Sequence, residues 1–159
     1  MKRLRLNLYF GLLVMTTVLC AQEQDYSIKS IGENTKYSDF GVAFYGPNTA
    51  VFASARKGNT IVKRVWSGNK QPFLELYKGT ITNEGELIDI HGFSPQINTR
   101  YHESNAVFTN DLKQVYFTGD NLKGNRVVRS SQGVVNLQLY TANVDADGQW
   151  TNIQKLPFN

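Results

Sequence analysis

Few residues in this chain have types and spacings that could do chemistry. Asp145-Ala146-Asp147-Gly148 has the outline of a calcium loop, in which carboxylates at alternate positions surround a hard cation. Such a loop needs a third oxygen ligand and a distal Glu, but Gln149-Trp150 follows and no Glu occurs after it. The segment reads instead as a tight turn. His91 and His102 are the only histidines and Cys20 is the only cysteine, so no set has the spacing of a zinc site. No Gly-x-Ser-x-Gly elbow and no phosphate-binding Gly-Lys-Ser/Thr loop is present, which leaves hydrolase and nucleotide chemistry without a carrier. The sequence therefore assigns no catalytic residue, no metal ligand and no cofactor.

Two basic loops are the best binding candidates. Residues 55–72 hold Arg56, Lys57, Lys63, Arg64 and Lys70 with no acid, together with Trp66. Residues 119–133 hold Lys123, Arg126 and Arg129 against the single acid Asp120. Together they could form a basic, partly aromatic surface for an anionic glycan or a partner protein, or they could simply be solvated loops.

What positions these loops is a repeat. Residues 34–54, NTKYSDFGVAFYGPNTAVFAS, recur sixty-four positions later as 98–118, NTRYHESNAVFTNDLKQVYFT, and the two align without a gap. Asn34/Asn98, Thr35/Thr99, Tyr37/Tyr101, Phe44/Phe108 and Val51/Val115 are identical, while Asp39/Glu103, Phe52/Tyr116 and Ser54/Thr118 keep their chemistry. Asp39 and Glu103, recurring at one position, suit polar caps at the entrance of each unit. His102 stands where Ser38 does, as a variable surface position would. The later half aligns at an offset of 63, through Leu76/Leu139, Tyr77/Tyr140, Gly85/Gly148 and Ile90/Ile153, with the one-residue difference falling in the long loop. Self-similarity at a fixed period indicates a fold built from repeated supersecondary units.

Each copy reads as four short strands separated by turn signals, with no helical stripe. The first copy predicts strands at 41–45, 50–54, 73–78 and 88–90; the second predicts 105–109, 114–118, 137–140 and 150–153. Four antiparallel strands in a meander, rich in aromatic and β-branched residues, are the unit of a β-propeller blade. The expected fold class is all-β, with two blades of an incomplete propeller: blade 1 over 34–97, blade 2 over 98–153, and the start of a third at 154–159. Two blades cannot close a propeller, which takes about 4–8. A third Asn-Thr would fall near position 162, so the chain is expected to be the N-terminal piece of a longer protein.

The N-terminus reads as a signal peptide over 1–21. Lys2, Arg3 and Arg5 precede an apolar run to Leu19, and Ala21 precedes a polar lead-in over 22–33. Lipidation at Cys20 is the lesser alternative, because Leu19 is not the small residue that such a site wants. The net charge of +4 comes from 17 basic and 13 acidic residues, and removal of the segment leaves 14 against 13, or +1. Charge thus offers no argument for nucleic acid. An exported chain without a mature cysteine fits a Gram-negative periplasm or outer membrane better than a disulfide-stapled secreted module.

With NTKYSDFGVAFYG, AVFASARK, GNKQPFLELY, INTRYHESNAVFTNDLKQVYFTGDN and NLQLYTANVDADGQWTNIQKLPFN, the mature chain resembles the OmpA-family envelope proteins of the Bacteroidetes, in the WD-like (PD-type) β-propeller that follows their signal. The resemblance implies further blades and a C-terminal peptidoglycan-binding domain, none of whose residues lie here. The usual Asp-Gly of the inner turn is replaced by Pro47-Asn48 and Asp111-Leu112. Membrane association is expected only through downstream domains or Cys20. The expected role is that of a non-enzymatic scaffold binding an envelope protein or an anionic glycan. The alternative is an accessory propeller of an exported enzyme whose catalytic domain lies beyond Asn159.

Overall fold

The computed structural model describes residues 28–56 and 64–159. The expected signal peptide, the first half of the lead-in, and the candidate cations Lys57 and Lys63 lie outside the described residues. Residues 31–159 form one compact unit. It is all-β: ten strands and, among the described residues, no helix.

The first sheet is the meander β1 (Asp39–Phe44), β2 (Thr49–Ser54), β3 (Glu75–Ile81) and β4 (Leu87–Gly92), hydrogen-bonded in that order. The second repeats it as β5 (Glu103–Phe108), β6 (Gln114–Asp120), β9 (Leu137–Val144) and β10 (Trp150–Lys155). Between β6 and β9 lies a two-stranded hairpin, β7 (Leu122–Lys123) and β8 (Arg126–Val127). All eight expected strands are present, most a few residues longer than their sequence cores. The small hairpin is an addition to what was read as a loop. Gly124-Asn125 forms its two-residue turn, with Gly124 at φ 58°.

The register corrects the gap-free alignment. Phe44 stands opposite Ala50 in the first sheet, whereas Phe108 stands opposite Val115 in the second. The second β-hairpin is thus one residue longer at its turn. The connection that follows is two residues shorter, since Ser54 pairs with Glu75 but Gly119 pairs with Gln138. The counterpart of Phe52 in the ladder is therefore Phe117, not Tyr116. The aromatic pairs agree: Phe52 stacks on Tyr77 at 6.1 Å, and Phe117 stacks on Tyr140 at 5.4 Å. A slip of one residue sends a strand's side chains to the other face, so the apparent matches Val51/Val115 and Ser54/Thr118 look in opposite directions.

Each sheet is bulged in both edge strands. Irregularities fall in β1 at Gly41, β4 at Asp89, β5 at Asn105 and β10 at Asn152, all with positive φ. Asn and Asp tolerate the left-handed region better than other L residues, which suits three of these four positions.

The sheets pack with β5 against β1, β2 and β3. Val51, Ala53 and Leu76 from the first sheet join Ala106, Val115, Phe117, Ala142 and Trp150 of the second, with Ile97 of the connecting segment, in one core. Phe93 lies 4.5 Å and Phe117 5.3 Å from Trp150, centroid to centroid. Five consecutive residues of β2 are buried, from Ala50 to Ser54, as expected of a strand covered on both faces. The opposite face of the second sheet is open: Val107, Leu137 and Leu139 are exposed there.

Candidate functional site

Each sheet begins with the same local device. In the first, the Thr35 N–H and hydroxyl donate to Asp39 Oδ2 at 3.0 and 2.8 Å, and the Thr35 hydroxyl oxygen accepts the Tyr37 N–H. In the second, Thr99 Oγ1 donates to Glu103 Oε1 at 2.5 Å and accepts the Tyr101 N–H. Asp39 and Glu103 thus cap the entry to their sheets, as their recurrence suggested. Their surroundings then diverge.

Asp39 is compensated. The Ser54 hydroxyl donates to its Oδ1, and the Arg56 guanidinium stands 3.4 Å from the same oxygen. Burial alone would raise this carboxyl, but the hydrogen bonds from Ser54 and Thr35, with Arg56, outweigh it and hold it below the ordinary value. Arg56 is held in turn: Nε donates to Ser54, Nη2 donates to the Glu33 carbonyl, and the cation lies 5.0 Å from the Phe52 ring and 5.3 Å from Tyr77.

Glu103 is not compensated. It is 3 % exposed, and its Oε2 is buried without a hydrogen-bond partner among the described residues. Burial, together with the charges of Glu75 and Asp120, pushes its carboxyl up to about 8 against the Thr99 hydrogen bonds. In the ladder Asp120 corresponds to Ala55, since Ala55 N–H donates to the Ser38 carbonyl and Asp120 N–H to the His102 carbonyl. Asn121 therefore stands in the place of Arg56, and among the described residues no cation pairs with Glu103. What remains is a cleft of about 830 Å³, with Glu103, Phe117, Tyr140 and Trp150 among its walls and residues 95–101 along one side. The Tyr140 hydroxyl donates to the Asp120 carbonyl. At the rim, Lys155 Nζ donates to Asn121 Oδ1 at 2.6 Å and to the Leu122 carbonyl at 2.7 Å, 5.9 Å from the Tyr140 ring centroid.

The basic candidates separate into committed and open groups. Arg56 is committed to the interior, and Arg129 donates to the Gly133 carbonyl within its own loop. Arg64 and Lys70 are exposed on a tight loop closed by the Val65–Pro72 bridge, with Lys70 at φ 61°. Lys123 and Arg126 face each other across the β7–β8 hairpin, both exposed. The second loop carries the matching bridge Arg129–Val135. The two excursions are thus equivalent parts of the two units, although no hydrogen bond, ion pair or ring contact joins them among the described residues.

Trp66, 42 % exposed, meets the edge of His102 at 5.2 Å. His102 is not a free surface residue. Its Nδ1 accepts the Leu74 N–H, Phe73 lies 4.7 Å away, and burial lowers its pKa against the pull of Asp120. The Asp145 carboxylate is spent on the Asp147 and Gln149 N–H groups, so that segment is a turn. Among the described residues no group of acids, histidines and cysteines could hold a metal ion.

One device escaped the sequence reading. The Asn98 side chain bridges both backbone groups of Leu76, accepting its N–H and donating to its carbonyl at 2.8 Å each. Asn159 does the same to Leu139 at 2.7 Å each. The recurrent Asn34/Asn98 was the signal. It marks a residue that ends one unit by clamping the unit's third strand. No family model, curated protein or solved structure matches the chain.

Proposed function

We propose that this chain is a non-enzymatic β-propeller segment acting as an interaction scaffold in an exported envelope protein of the OmpA-like kind. The observation that carries the reading is the repeated asparagine clamp. Asn98 closes the first sheet on Leu76 and leads directly into the second, and Asn159 closes the second sheet on Leu139 in the same way. Units joined by one recurring link, each laying its first strand against the previous sheet, suit radial repetition. The face of the second sheet holding Leu139 is the ladder counterpart of the first-sheet face holding Leu76, which the second sheet buries. It is a surface suited to a further sheet.

The binding role falls to Arg64, Trp66, Lys70, Lys123 and Arg126, which are all exposed. A protein partner or an anionic glycan suits that chemistry. Two variants test the reading in one pull-down from envelope fractions. Val107, Leu137 and Leu139 changed together to Ser should lose association with polypeptide bearing further sheets. Arg64, Lys70, Lys123 and Arg126 changed together to Ser should lose glycan or partner retention while keeping that association. Unchanged recovery in both variants overturns the proposal.

A further inference from the structure

The cleft beside Glu103 has an internal standard against which to read it. In the first sheet, the corresponding place is filled by the chain itself. A guanidinium lies on a stacked Phe–Tyr pair, beside the first acid of the sheet, and touches the connecting segment through the Glu33 carbonyl. In the second sheet the acid, the stacked pair Phe117–Tyr140 and the connecting segment are all present and line an open cleft. Two donors are missing among the described residues: Gly119 stands where the first sheet has the Ser54 hydroxyl, and Asn121 where it has the guanidinium. We infer that this cleft receives an arginine side chain of a partner polypeptide, seated on Phe117 and Tyr140 and paired with the Glu103 carboxylate.

The unpartnered Glu103 Oε2 supports this independently of the repeat. A buried carboxyl oxygen with no donor costs free energy, and a cation that meets it as the Glu103 side chain turns toward the cleft recovers that cost. A guanidinium suits the site better than an ammonium, because its plane stacks on aromatic rings while its edge donates to carboxylate oxygen. The charged neighbours among the described residues do not already satisfy the acid: Arg100, which also lines the cleft, is exposed and does not donate to Glu103 Oε2. Glu75 and Asp120 add negative charge, and His102 uses Nδ1 as an acceptor from Leu74. Lys155 commits two of its three N–H donors to Asn121 and Leu122. On binding, Glu103 ionises and releases its proton to solvent as the guanidinium takes its place.

The test uses the full chain and three capped tripeptides, Ala-Arg-Ala, its citrulline isostere and Ala-Lys-Ala, followed by titration calorimetry and by chemical shifts of the Phe117 and Tyr140 rings. The arginine peptide should bind saturably and at least tenfold more tightly than the citrulline peptide, with lysine in between, and it should shift both rings. Glu103→Gln, which resembles the protonated acid in shape, should lose most of the arginine preference. Equal binding of arginine and citrulline by the unaltered protein overturns the inference, whatever the variant does. So does a folded Glu103→Gln protein that keeps the full preference. The inference rests on the equivalence of the two sheets and not on the propeller reading, so its failure would leave that reading standing.

Discussion

The two sheets share strand order, bulge positions and a threonine-capped acid at their entrance, yet one acid is closed and the other open. Asp39 has two hydroxyls, a guanidinium and an amide around it; Glu103 has a single threonine and an orphan oxygen. Desolvation acts on both, and what separates them is whether donors outweigh it. The difference arises from two residues of the second strand: the ladder places Gly119 where the first sheet has the Ser54 hydroxyl, and Asn121 where it has the Arg56 guanidinium. Duplicated units can thus keep a scaffold and change a site with no change in strand count.

The largest test of this equivalence is in the core. If the ladder gives the right correspondence, Phe52→Ala and Phe117→Ala should each cost about 3–5 kcal/mol by chemical denaturation, whereas Tyr116→Ala should cost about 1. If Tyr116→Ala proved as costly as Phe52→Ala, the gap-free alignment would be restored. A second test concerns Glu103. Its folded pKa of about 8 lies above the ordinary value of 4.5, so the native state holds the extra proton and stability is lost as pH rises between those values. The stability of Glu103→Gln relative to the unaltered protein should therefore rise by about 1.4 kcal/mol per pH unit between pH 5 and 8. Taking the difference removes the opposing contribution of His102, whose lowered pKa costs stability in acid. A flat difference would mean that Glu103 is already compensated. The smallest effect should separate the two clamps. Asn98→Ala strands the backbone groups of Leu76, a fully buried residue, and should cost about 2 kcal/mol. Asn159→Ala exposes those of the more open Leu139 to water and should cost about 0.5 kcal/mol or less. Equal costs would remove the distinction.

Strand count, turns and the repeat were legible because alternating apolar residues and Gly/Asn/Asp punctuation are local signals. Register was not. TAVFAS and QVYFTG are both apolar at adjacent positions, so identity of letters favoured the alignment without a gap, while the ladder follows the longer turn over 109–114. The β7–β8 hairpin had a readable Gly-Asn turn, but its strands of two residues are too short for a periodic pattern. The basic loops looked uniform in sequence. Only side-chain geometry shows that Arg56 and Arg129 are occupied while Arg64, Lys70, Lys123 and Arg126 are exposed. The Glu103 cleft left a faint trace: in the gap-free alignment an acid, Asp120, falls where the first copy has Arg56.

The bulges at Gly41, Asp89, Asn105 and Asn152 bear on which kinds of association the sheet edges permit. An exposed edge strand is a template for another chain, and four-stranded sheets with free sides carry two such templates each. Here every edge strand of both sheets is interrupted by a left-handed residue. That interruption breaks the run of evenly spaced N–H and C=O groups that an incoming strand would need. Growth by edge-to-edge pairing is discouraged on all four sides, whereas the outer face of the second sheet, with Val107, Leu137 and Leu139, remains free to stack. The architecture thus steers association toward side-chain contacts, which a sequence can make selective, and away from backbone contacts, which it cannot.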